Sequence, residues 1–87
     1  MITSAQYAID GTAIKIAAAS QTPKKVFIHA VTTGDLYIGG SNAVTAATGF
    51  LIDKAAAVFE VQVDADDELW GITGAGTHTF TVLQVFL

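Results

Sequence analysis

The 87-residue chain contains no cysteine, which excludes a disulfide, a thiolate metal site and a cysteine nucleophile and leaves the redox compartment open. It also lacks arginine. Its four cations are Lys15, Lys24, Lys25 and Lys54, against a formal net charge of −4 and an isoelectric point near 4.6. A nucleic-acid binder needs clustered cations to displace counterions, and a base reader uses arginine's bidentate fork. No nucleic-acid partner is therefore expected, and Lys24-Lys25, the one basic pair, reads as a solvated edge or turn. No stretch approaches the ~18 uninterrupted apolar residues of a membrane span, and the opening MITSAQYAIDG has neither the basic start nor the apolar core of a secretion signal. The expectation is a soluble, unprocessed chain with no membrane partner.

Charged residues make up 14% of the chain, when an ordinary soluble domain carries roughly 25%. Apolar residues make up 52%. The length suffices for one domain, residues 1–87, and a domain this small buries only about 60% of the surface its unfolded chain exposes. So many apolar groups cannot all be hidden inside so small a body. Part of the surplus is expected to lie against a partner, either copies of the same chain or a larger assembly.

Period-2 alternation recurs along the chain, and helical spacing with caps does not. AVFEVQV puts Ala57, Phe59, Val61 and Val63 on one face and Glu60 and Gln62 on the other, with Val58 breaking the polar side. AIKIA directs Ile14 and Ile16 inward and Lys15 outward, and ELWGIT groups Trp70 with Ile72. KVFIHAV is apolar on both faces, as suits a strand covered on both sides. Turn signals separate these runs at Asp10–Thr12, Gln21–Pro23, Thr33–Asp35, Gly39–Asn42, Asp64–Asp67 and Gly74–Gly76. Ala17–Ser20 and Asp53–Ala57 could each form about one helical turn and are read as loop or strand edge. The pattern defines an all-β fold: a single small antiparallel β-sandwich or barrel, jelly-roll-like. In the last segment, HTFTVLQVFL, the apolar parity changes after Val82. Either a bulge re-aims the strand or both of its faces are covered, which places it in a sheet centre or between subunits.

Little in the sequence supports chemistry. His29 and His78 titrate near neutrality by default, yet no HxH, HExxH or GxSxG surrounds them. The acidic run DADDEL fails as a twelve-residue calcium loop beginning at Asp64, because position six is Leu69 and position twelve is Ala75. It reads as an acidic turn. Gly39-Gly40 and Gly74–Gly76 lack phosphate-loop spacing and a phosphate-loop lysine, and read as chain reversals using glycine's positive φ. Asp35, Asp53, Glu60 and Glu68 show no spacing that singles out a catalytic pair. No enzyme activity, catalytic residue, metal or cofactor is expected.

Leu36 to Thr77 carries a more specific pattern. Tyr37–Ser41, Val44-Thr45, Thr48–Phe50, the strand Val58–Val63, Asp66–Trp70 and the turn Gly74–Thr77 together resemble a recurring module of tailed-bacteriophage virion proteins. Where relatives commonly carry a proline before leucine and then a glycine turn, this chain has Leu51-Ile52 and Lys54-Ala55. The resemblance implies a small β-sandwich capsid decoration, or cement, protein on the outside of a virion. It would bind the major capsid protein and itself, often as a homotrimer. The alternative it leaves open is a tail- or fibre-associated or host-glycan-binding module, with Trp70 or Tyr37 stacking on sugar and Asn42 bonding to hydroxyls. The interface candidates are Tyr37, Gly39, Gly40, Phe50 and Phe86, with Gly39 to Phe50 shaping an edge anchored by Phe50. Trp70 is instead expected to pack in the core.

Overall fold

The computed structural model describes residues 1–32, 34–52 and 58–87. Among these there are eight strands and no helix: β1 (Ile2–Ile9), β2 (Ile14–Ala17), β3 (Lys24–Ala30), β4 (Leu36–Gly39), β5 (Phe50–Ile52), β6 (Phe59–Val63), β7 (Leu69–Thr73) and β8 (His78–Phe86). Each begins at or near an apolar or β-branched run and is bounded by the turn residues that the sequence displays. Ala57 and the rest of Asp53–Ala57 lie outside the described residues, as does Thr33.

The first strand pairs with the last, β2 with β7, β3 with β6 and β4 with β5, all antiparallel. The chain is thus a long hairpin doubled over at β4–β5. Its strand pairs are then dealt alternately into two sheets, of order β1-β8-β3-β6 and β2-β7-β4-β5. Pairing of β8 with β3 and of β7 with β4 completes each sheet. This is the jelly-roll arrangement, an eight-stranded sandwich of two antiparallel sheets, as the alternation foretells.

One face of each sheet makes the core. Ile9, Ile16, Val26, Ile28, Leu36, Phe80 and Val82 are all but inaccessible and belong to one cluster. The β8 segment keeps an unbroken register with both neighbours, so no bulge accounts for its change of parity. It lies in the centre of its sheet with Phe80 and Val82 inward, while Leu83 and Val85 point to the other face. Coverage on both faces of β3 is not met within the chain: Val26 and Ile28 are buried, but His29 and Val31 are exposed and Phe27 is half-buried on the outer face.

Two expectations are corrected here. Lys24 is not solvated but only 2% exposed, because strand alternation turns it inward at the end of the sandwich beside Val63 and Phe86. Its Nζ donates to the Ala18 carbonyl and lies 5.1 Å from the Phe86 ring centroid, and burial holds its pKa below that of a free lysine. Of the pair, Lys25 is the surface cation, 3.7 Å from Glu60 across the sheet. Trp70 is not in the core either. It is half-buried on the outer face of the second sheet, its indole N–H donating to Glu68 Oε1 at 3.0 Å and its ring 5.5 Å from Lys15 Nζ. Lys15 in turn pairs with Glu68 at 3.0 Å. The Trp70 hydrogen bond, followed by Lys15, lowers the Glu68 pKa.

Candidate interaction surface

The segment from Gly40 to Gly49 is two consecutive turns, each opened by a hydroxyl side chain. Ser41 accepts from Val44 N through its carbonyl (3.2 Å) and from Ala43 N through Oγ (3.2 Å). Thr45 repeats the device, its carbonyl accepting from Thr48 N and Gly49 N and its Oγ1 from Ala47 N. Such side-chain bonds to nearby backbone explain the run of small hydroxyl residues. They also commit the amides of Ala43, Val44, Thr45, Ala47, Thr48 and Gly49 within the loop, so those donors are not directed at an anion.

The adjoining glycines serve close approach. Among the glycines, φ is positive at Gly76 and not at Gly39 or Gly40. Gly39 ends β4, and a Cβ there would stand 2.8 Å from Val44 Cγ2 and 2.9 Å from Val44 Cβ. Val44 folds back over the outer face of the second sheet through that vacancy and becomes buried without joining the core cluster. Gly49 likewise admits Tyr37, whose Cβ is 2.8 Å from the position a side chain would take. The expectation that Gly39-Gly40 reverse the chain is therefore replaced: the Ser41–Val44 turn does this, and Gly39 is a seat for Val44. In Gly74–Gly76 the positive φ of 71° at Gly76 does form a turn. Asp66, in the acidic turn joining β6 to β7, adopts φ 67°.

The sandwich is open where its edge strands β5 and β6 face each other. Phe50 sits there at 62% exposure. With Ile38, Phe59, Val61 and Leu69 it lines an apolar groove of about 380 Å³ that also reaches Gly39 and Gly40. Val58, just before β6, is 60% exposed. A second, smaller apolar patch interrupts the otherwise polar outer face of the first sheet. Cross-strand registers align Ile2, Val85, Lys25 and Gln62 in one row and Ser4, Leu83, Phe27 and Glu60 in the next. Beside them Phe27, His29, Val58 and Leu83 border a shallow depression of about 260 Å³. Singly exposed apolar residues are ordinary, but contiguous ones mark interaction surfaces.

The interface candidates thus divide. Phe50, Gly39 and Gly40 meet at the groove. Tyr37 lies half-buried on the outer face of its sheet, under the Gly40–Gly49 loop, and Phe86 faces inward over Lys24. Ile2, Leu51, Val58 and Leu83 are exposed apolar residues outside that set, Leu51 on the outer face of the second sheet beside Tyr37. Two signals for them stand in the sequence: Val58 breaks its strand's alternation, and the parity change after Val82 exposes Leu83.

The two histidines do not converge on a common site. His29 is exposed on the outer face of the first sheet, and His78 Nε2 donates to the Ala75 carbonyl at 3.0 Å. Among the described residues no group of three or more His, Asp or Glu could hold a metal ion. No described helix is long and apolar enough to cross a membrane.

No protein-family model and no curated protein matches the chain. Among solved structures it is similar to that of the Bacillus endospore appendages, which form disulfide-linked pili, at a TM-score of 0.65 and 18% identity over 100% of this chain and 86% of that one. The likeness is one of fold. A looser similarity, with TM-score 0.45 and 6% identity over 100% of this chain and 85% of the other, is to Aeromonas hydrophila PliG, a periplasmic inhibitor of g-type lysozyme. The chain is a small β-sandwich whose fold resembles that of the endospore-appendage protein, and its resemblance to phage virion modules is carried by the sequence motifs alone.

Proposed function

We propose that this is a non-enzymatic structural protein of a tailed-phage virion, a capsid decoration protein that lies on the outer shell, binds the major capsid protein and stabilises it. The observation that carries this reading is a pair of exposed apolar patches, the groove at Phe50 and the depression bordered by Phe27, Val58 and Leu83 on the outer face of the first sheet. In a chain with only 14% charged residues, such surface favours burial against protein over solvation. The virion motifs between Leu36 and Thr77 support the location. Without cysteine no contact is a disulfide, and the reading rests on area and on aromatic anchors such as Phe50.

The decisive experiment adds purified protein to capsids lacking it and follows occupancy by cryo-microscopy and shell survival by heating. Bound density at regular capsid positions and a raised disruption temperature are expected. No density and an unchanged shell would overturn the reading.

A second reading, a subunit of a pilus-like polymer, is favoured by the match to the endospore-appendage fold across the whole chain. Filaments formed by the isolated protein would move the assignment there. Sugar stacking on Trp70 is less favoured, because Lys15 already lies over that ring and Glu68 already accepts its N–H.

A further inference from the structure

A β-sandwich of two open sheets has four edge strands, and each edge presents unpaired N–H and C=O groups to any strand that can reach it. Among the described residues three of these edges are blunted. β2 has four residues, carries Lys15, and shifts register between Lys15 and Ala17. β5 has three residues. β6 has five, with Glu60 as its second residue drawn toward Lys25. Short length, bulges and charge are the usual devices against edge-to-edge pairing.

β1 has none of them. It runs for eight residues, ITSAQYAI, in unbroken register with β8, with no charge, no proline and no glycine. Five consecutive residues, Ile2 to Gln6, are exposed. About half of its backbone groups point away from β8, since an antiparallel strand bonds to each neighbour through alternate residues. Thr, Tyr and Ile also suit the extended conformation.

We propose that β1 is a strand-pairing edge and that its partner is β1 of a second copy, joined antiparallel about a two-fold axis into one eight-stranded sheet. The charge distribution selects a copy of the same chain. This is an acidic protein, of net charge −4, and self-association is opposed wherever its carboxylates meet. The order β1-β8-β3-β6 puts Glu60, and the turn bearing Asp64, Asp66 and Asp67 that follows it, at the opposite edge of the sheet. Pairing through β1 sends these acids to the two far ends of the joined sheet. Asp10, just past the end of β1, is carried to opposite ends of the antiparallel ladder. The uncharged edge is where two such molecules approach with least repulsion. The pairing also joins two outer faces, each bearing Ile2, Leu83 and Val85, into one broader apolar surface. A two-fold contact of this kind yields dimers and not the threefold grouping that the phage resemblance implies.

The test uses the isolated full chain, so its result is independent of whether the protein binds a capsid. Light scattering over a concentration series is expected to show the mass doubling from monomer to dimer. Lysines at the exposed outer-face positions, in Ser4→Lys/Gln6→Lys, place like charges across the axis and are expected to halve that mass with circular dichroism unchanged. The companion Ser4→Glu/Gln6→Glu is expected to be monomeric alone and to restore the dimer mass when mixed one to one with the lysine variant. That recovery excludes misfolding as the cause of dissociation. A wild-type monomer at every concentration, a trimer, an oligomer that the lysines leave intact, or a mixture that stays monomeric would each overturn the proposal.

Discussion

The rings of Phe50 and Phe59, one from an edge strand of each sheet, lie 5.8 Å apart at a tilt of 37° across the open side of the sandwich. The pair closes that side only in part, for Phe50 keeps 62% of its surface accessible. A side chain so placed contributes little to its own fold and much to whatever covers it.

Phe50→Ala is therefore expected to lower the stability of the isolated chain by less than about 1 kcal/mol, since full burial of such a side chain is worth only about 1.5–3 kcal/mol. In the assembled state the same truncation is expected to cost about 2 kcal/mol or more, as for an aromatic anchor at the centre of an interface. Urea denaturation of the free protein and a binding titration on capsids measure the two numbers. Equal losses in both would make Phe50 a plain packing residue.

Gly39→Ala is expected to destabilise the fold by about 1–3 kcal/mol, the usual range for overpacking, because its methyl would fall within 3 Å of Val44 Cβ and Cγ2. Val44→Ala removes Cγ2, the nearer clashing atom, and leaves Cβ in place, so it relieves the overlap in part. The double variant should then be more stable than the sum of the single losses requires, with a coupling of at least about 0.5 kcal/mol. Strictly additive losses in a double-mutant cycle would show that the loop yields elsewhere.

Lys24 makes a prediction about pH. Burial lowers its pKa in the folded protein, whereas the unfolded chain holds the same proton up to about pH 10.4. Between the two values the unfolded state binds more protons, so stability attributable to this group rises with pH in that window and is flat below it. Lys24→Met should abolish the rise. Subtracting the variant's denaturation midpoints from those of the wild type, through the alkaline range, isolates it from the other titrating groups. A difference that does not change with pH would rule out a buried, destabilised ammonium.

The sequence made the class of fold legible because a half-buried strand writes its two faces as alternate residues, and Ile14–Ile16 and Phe59–Val63 do so plainly. It showed β8 as doubly apolar because a central strand can be so. What alternation cannot report is which face becomes the interior once each sheet is assembled. Trp70 and Lys24 depart from expectation for that reason: the large apolar ring ends outside and the charged residue inside, each by strand parity. Gly39 departs for another. Its purpose is set by Val44, five residues on, and the contact exists only after the loop has folded back. Of the interface candidates, Phe50 announced itself as an aromatic beside small residues, while the exposure of Val58 follows from its place before an edge strand, which depends on the partner strands.

The placing of β8 between β1 and β3 also sets the order of events during synthesis. The residues that must occupy the middle of the first sheet follow the other seven strands in sequence, so β1 and β3 wait unjoined until β8 is made. Pairings this distant in sequence form slowly, and until they form the nascent polypeptide exposes apolar strands to its neighbours. A copy released before His78 would lack the strand that bridges β1 to β3 and would be recognisable to proteases and chaperones as unfinished.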